Sequence, residues 1–100
     1  MAFTTINKSS NYIKNLTYAG NGSTNAITGV GFQPDFVWVK DREATSNHNL
    51  YNSASGVEKY LECDAGTEQQ TDSNSLTAFG VDGFTLGSHS ESNNSGNGFI

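Results

Sequence analysis

Gly31-Phe-Gln-Pro-Asp-Phe-Val-Trp-Val-Lys40 is the stretch on which the reading of the fold turns. Phe36, Val37, Trp38 and Val39 are aromatic and β-branched in succession. Such side chains suit the pleated surface of a sheet and lose rotamer freedom in a helix. Pro34 on one side and Asp41-Arg42 on the other leave a run too short for a buried helix. An unbroken apolar run of this length predicts a central strand covered on both faces, with Phe36 and Trp38 in the core.

Outward from that strand the chain keeps the rhythm of short strands and turns. Before it, Phe3–Ile6, Tyr12–Tyr18 and Ala26–Val30 read as strands, with a tight reversal at Gly20-Asn21-Gly22. After it, Glu43–Asn49 is a polar loop. Leu50–Tyr51 and Tyr60–Cys63 read as strands flanking a turn at Ser53–Gly56, with one helical turn allowed over Val57–Leu61. Ala65–Ser75 is polar and turn-rich. Leu76–Phe79 and Phe84–Leu86 form a hairpin with Asp82-Gly83 in its reversal. His89–Gly98 is a further polar loop, and Phe99-Ile100 begin another strand. The expected fold is therefore all-β, a jelly-roll or concanavalin-like antiparallel β-sandwich of roughly 8–10 short strands. Residues 1–100 form one domain, possibly a fragment of a longer chain, whose C-terminal closing strand looks incomplete.

Composition narrows the function classes. The chain is 34% hydrophobic, 15% charged and 11% aromatic, and Asn, Ser, Thr and Gly fill the difference. Disordered chains pair low hydrophobicity with high charge and few aromatics, so a folded domain is expected. The net charge is −5, with Lys8, Lys14, Lys40, Arg42 and Lys59 the only fixed cations. No basic patch exists to neutralise phosphates, which argues against nucleic acid and anionic lipid as partners. No apolar run reaches membrane-spanning length, and Met1–Ile6 lacks the basic and apolar regions of a signal peptide. Cys63 stands alone, so neither an intrachain disulfide nor a paired-cysteine metal site is expected; a small buried thiol is.

Enzyme templates find no match. His48 and His89 both fall in polar loops, and no Gly-x-Ser-x-Gly elbow accompanies them. Glu58, Glu62, Glu68 and Asp72 are scattered and do not alternate along a strand as paired glycosidase acids would. Asp72-Ser-Asn74 opens like a calcium loop, but Thr77 replaces the turn glycine and Gly83 the bidentate acid. Sequons at Asn7, Asn15, Asn21 and Asn93 are close to what an Asn- and Ser/Thr-rich chain gives by chance. Among the aromatics, Phe36, Trp38, Phe79 and Phe84 are expected in the core, and Tyr51 and Tyr60 are the candidates for exposed rings. No catalytic, cofactor-binding or metal-ligating set is assigned, and the chain reads as non-enzymatic.

Three segments carry a family resemblance: Gly20-Asn-Gly-Ser-Thr-Asn-Ala-Ile-Thr-Gly-Val-Gly-Phe-Gln-Pro-Asp-Phe-Val-Trp-Val-Lys40, Thr71-Asp-Ser-Asn-Ser-Leu-Thr-Ala-Phe79 and Asp82-Gly-Phe-Thr-Leu-Gly87. Together they resemble an uncharacterised concanavalin/laminin-G-like module of marine and cyanobacterial phage structural, tail-fibre-like proteins. The resemblance runs from Phe3 to Ile100. It implies a virion protein, assembled in the host cytoplasm and displayed on the extracellular particle. In a tail fibre or similar appendage such a module would bind host surface glycans; the alternative is a head or tail decoration protein that stabilises the particle. Other virion proteins are the implied partners, with homo-oligomers or completion of the sheet by a neighbouring chain. Two departures stand out: Asn52-Ser-Ala-Ser-Gly56 replaces an Asp-Ser-x-Arg-Gly stretch, and relatives continue beyond Ser95-Gly96-Asn97 into a longer strand with a Trp.

Overall fold

The computed structural model describes residues 8–100; the strand expected at Phe3–Ile6 lies outside them. A 3-10 turn at Ser9–Asn11 leads into nine short strands. They are β1 (Tyr18–Ala19), β2 (Asn25–Ile27), β3 (Phe36–Val39), β4 (Asn49–Asn52), β5 (Lys59–Glu62), β6 (Gln70–Thr71), β7 (Leu76–Gly80), β8 (Gly83–Leu86) and β9 (Gly98–Phe99). One short helix, α1 (Ser90–Asn93), interrupts what reads as a polar loop in the sequence. Every pairing is antiparallel, and the fold is all-β.

Strands β3-β4-β5-β6 form one sheet and β2-β8-β7 another. The β1-β9 pair joins the first layer through Asp41, which bridges to Phe99 just past the end of β3. Lys40 and Ile100 exchange two backbone bonds of 2.8 and 3.0 Å, and the Arg42 amide donates to the Gly98 carbonyl at 2.9 Å. The C-terminal strand is therefore held on both sides. Phe99 is fully buried and stacks on Tyr18, with ring centroids 5.3 Å apart and planes 11° from parallel.

The core fills the space between the layers. Val37, Val39, Tyr51 and Tyr60 come from the four-stranded side, and Ile27, Leu76, Phe84 and Leu86 from the three-stranded side. Burying each such side chain contributes about 1.5–3 kcal/mol. Backbones come close enough at two glycines to forbid a side chain. A Cβ on Gly83 would strike the Ile27 carbonyl, and one on Gly20 the Asn94 carbonyl. Gly83 is the first residue of β8, so the β7–β8 reversal is Val81-Asp82, one residue earlier than the sequence suggests.

Several expectations are corrected. β3 is covered on one face only, alternating exposed and buried along its length, so Phe36 and Trp38 lie outside the core. Tyr51 and Tyr60 point the other way from expectation and are buried. Asn52 beside Tyr51 and Lys59 beside Tyr60 make both read as polar-strand residues, but each sits at the alternate position of a period-2 strand and faces the other way. Phe79 is only half-buried against the core, and Cys63 is exposed. Tyr12–Leu16 is not strand, and the stretch proposed for a helical turn at Val57–Leu61 is a turn running into β5. There Glu58 adopts a φ of 68°.

Asp41, 1% exposed, braces the corner between β3 and β9. Its Oδ1 accepts from the Glu43 and Ala44 amides at 2.9 and 3.1 Å, and its Oδ2 from Asn97 Nδ2 at 2.7 Å. Burial alone would raise its pKa. The Asn97 bond, the two amide bonds and the Lys40 charge outweigh that and hold the carboxyl below its ordinary range. A depressed folded-state pKa adds stability above the unfolded value of about 3.9, and that stability is lost as pH falls through the folded value. Asp41→Asn is expected to destabilise the domain by about 1–3 kcal/mol at neutral pH. Its melting temperature, followed by circular dichroism, should then fall less steeply below about pH 4 than the parent's. Parallel acid limbs would mean that Asp41 does not carry this dependence.

Candidate functional site

The outward face of β3 and the groove along its edge form the candidate site. Phe36 and Trp38 are 58% and 57% exposed, and they share this face because they are two residues apart on a strand. Leu50 lies opposite Trp38 on β4, and Leu61, 42% exposed, lies opposite Leu50 on β5. An apolar row, exposed at Phe36, Trp38 and Leu61 and half-buried at Leu50, thus crosses three strands.

Trp38 is held in place. Its Nε1 donates to His48 Nδ1 at 2.9 Å, and the two rings tilt together at 5.8 Å between centroids. His48 is itself fixed through its amide, which donates to Asp64 Oδ1 at 2.9 Å. Lys40 Nζ donates to the Ala44 and Ser46 carbonyls at 2.9 and 2.8 Å, bracing the loop that carries His48. His48, a hydrogen-bonded loop residue in keeping with its polar surroundings in the sequence, orients the one tryptophan.

Alongside β3 runs a groove of about 960 Å³. Tyr12, Ile13, Leu16, Phe36, Trp38 and Ile100 all line it. Buried Val30, Val39 and Phe84 reach it from the core. Lys14 and Lys40 border it, with Asp35 as the acid among its lining residues.

A second constellation, invisible in the linear sequence, lies at the far side of the four-stranded sheet. His89 Nδ1 is 3.3 Å from Ser92 Oγ, and His89 Nε2 is 3.3 Å from the Tyr60 hydroxyl and 3.8 Å from Asp72 Oδ2. The order carboxylate, imidazole, hydroxyl is that of a nucleophilic triad. Ser92, however, is 0% exposed, so a substrate carbonyl has no approach to its oxygen. Among the described residues, buried Tyr51 Oη and Asn49 Oδ1 nearby have no hydrogen-bond partner, although Ser92 approaches the Tyr51 hydroxyl. Burial pushes the phenols of Tyr51 and Tyr60 up from the ordinary tyrosine value, so both stay protonated. The cluster ties β5, α1 and the loop before β7 together.

The remaining candidates are dispersed. Glu58, Glu62, Glu68 and Asp72 do not converge on the groove. Among the described residues no group of three His, Cys, Asp or Glu is placed to hold a metal ion. Asn15 and Asn21 are exposed, and Asn7 lies outside the described residues. Asn93 is fully buried, its Nδ2 donating to Ser23 and Gly87 carbonyls at 2.6 and 2.8 Å, so that sequon is structural.

Trp38→Ala is expected to change unfolding free energy by within about 0.5 kcal/mol, as for surface positions. Leu86→Ala, at a fully buried position, should cost about 2–5 kcal/mol. His48→Ala should leave stability near the parent's while fluorescence anisotropy decay reports a freer indole. A core-sized loss for Trp38→Ala in urea unfolding would place the ring inside the molecule after all.

No curated protein and no solved structure matches the chain. A family model described as a domain of unknown function, DUF7483, matches residues 8–100, and the chain belongs to that family.

Proposed function

We propose that this chain is a non-enzymatic structural module of a phage virion, acting in a tail fibre or comparable appendage. The observation that carries the reading is the exposure of Phe36, Trp38 and Leu61, joined by half-buried Leu50, on the outer face of the four-stranded sheet. Soluble monomers rarely leave contiguous apolar surface open unless something packs on it. Aromatic residues are enriched in protein interfaces and charged ones depleted at their centres, which matches this face. The resemblance of the Gly20–Lys40 segment to phage structural modules supplies the setting, and neighbouring virion proteins or further copies supply the partners.

A role in binding host surface glycan is supported by a separate feature. Trp38 is pinned by His48, so its open ring presents a flat surface with little conformational freedom left to lose on stacking. Weak single sites of this kind gain strength when many copies act together. A head or tail decoration protein would use the same face for lateral contacts alone.

Immunogold labelling of purified particles with antibody to this chain tests the assignment. Label on the tail or its fibres is the expected result. Label spread over the head would favour decoration, and unlabelled particles would remove the virion reading. In the assembled particle Trp38 emission should shift to the blue and resist acrylamide quenching relative to the isolated chain.

A further inference from the structure

We propose that His48 is a pH-sensitive latch on Trp38: its neutral imidazole fixes the indole on the outer face of β3, and protonation releases it. The hydrogen bond itself carries the argument. Trp38 Nε1 donates to His48 Nδ1 at 2.9 Å. An indole nitrogen can only donate, so Nδ1 must bring a lone pair, and the proton of the neutral ring sits on Nε2. In imidazolium both nitrogens carry hydrogen, and Nδ1 has nothing left to accept with. The bond and the charged ring therefore exclude each other. A cation–π contact does not take its place. That attraction needs the cation over the ring face, whereas the N–H bond puts His48 at the positive edge of the indole.

The charged groups around the half-buried His48 leave Trp38 as its one ring partner among the described residues. Lys40 of β3 is tied to the Ala44 and Ser46 carbonyls, in a loop that also holds Arg42 and Glu43. Lys14 and Asp35 line the same groove as His48, and Glu62 lies across from Asn49 on β5. Asp64 accepts the amide of His48 itself at 2.9 Å, so a protonated ring has a carboxylate to turn toward. His89 shows why the identity of the partner matters. Its ring nitrogens face the Ser92 and Tyr60 hydroxyls, with Asp72 Oδ2 3.8 Å from Nε2. A hydroxyl can turn from donor to acceptor, so that ring keeps its contacts in either state. Of the two histidines, His48 alone faces a partner that donates in both. Histidine is the side chain that ordinarily changes charge between about pH 5 and 8. By reciprocity, a partner that packs on the fixed indole opposes protonation of His48, and acid weakens its hold. The latch is a property of the pair and does not rest on the virion reading.

The test is a titration of the chain from about pH 8 to about pH 5 by proton–nitrogen NMR. The single tryptophan gives one indole signal, and the two histidine rings are followed in the same samples. The indole N–H resonance should move upfield as acid removes its acceptor, with the midpoint read from the His48 ring. Fluorescence anisotropy decay should show the indole gaining fast local motion over the same step. His48→Ala should give the released signature at every pH. His48→Gln supplies a side-chain oxygen that accepts without titrating, so it should hold the indole throughout. An indole signal that ignores the His48 midpoint, or follows that of His89 instead, would overturn the proposal. An equal step in either variant would trace the change to another group and overturn it as well. Circular dichroism should stay constant across the range; its loss over the same step would mean unfolding in place of release, and the latch would fall.

Discussion

The seam of β1, β9 and the corner after β3 sets the rest of the structure. β9 is two residues long, yet it pairs with β1 on one side and with the Lys40–Arg42 segment on the other. Phe99 enters the core from this strand, stacks on Tyr18, and leaves the Tyr18 hydroxyl to donate to the Ser92 carbonyl at 2.7 Å. Asp41 and Asn97 lock the corner through a charge-assisted bond. Without this seam the first layer would lose β1, and the Tyr18 ring would have no partner. Because the seam joins residues far apart in sequence, Tyr18 with Phe99 and Ala19 with Gly98, its pairing is non-local, which favours slow folding.

How much of this was legible in the sequence depends on which physical signal each residue carries. The class was legible: β-branched and aromatic runs between Gly, Asn and Asp turns admit little else, and the β7–β8 hairpin fell within one residue of its expected reversal. Burial on β3 was not. In Phe36-Val-Trp-Val39 both alternating sets are apolar, so periodicity cannot say which set faces inward. The answer came from across the sheet, where Tyr51 and Asn49 face Val37 and Val39. Tyr51 and Tyr60 are hidden for a complementary reason: each lies between one leucine and one polar residue, so immediate neighbours do not say which alternating set is core.

The Asp72, His89 and Ser92 cluster shows a second limit. Asp72 precedes β7 while His89 and Ser92 follow β8, so the hairpin between them brings them together, and no spacing in the chain announces them. Their geometry resembles hydrolytic machinery, but burial of Ser92 decides against a substrate, and the cluster acts as a polar cross-brace under the sheet. A similar division holds for the asparagines. Asn93 has every hydrogen-bonding group engaged, while Asn15 and Asn21 remain at the surface. Residue type alone does not separate these roles.

The outer face of β3 presents Phe36 and Trp38, while Val37 and Val39 of the same strand enter the core. The two exposed side chains offer apolar area, which is non-directional and tolerates many partners. Orientation comes from the fold itself: His48 holds the indole of Trp38, and Val37 and Val39 anchor the strand from behind. A partner would therefore meet an apolar surface already fixed in one arrangement, with little side-chain freedom left to lose on contact.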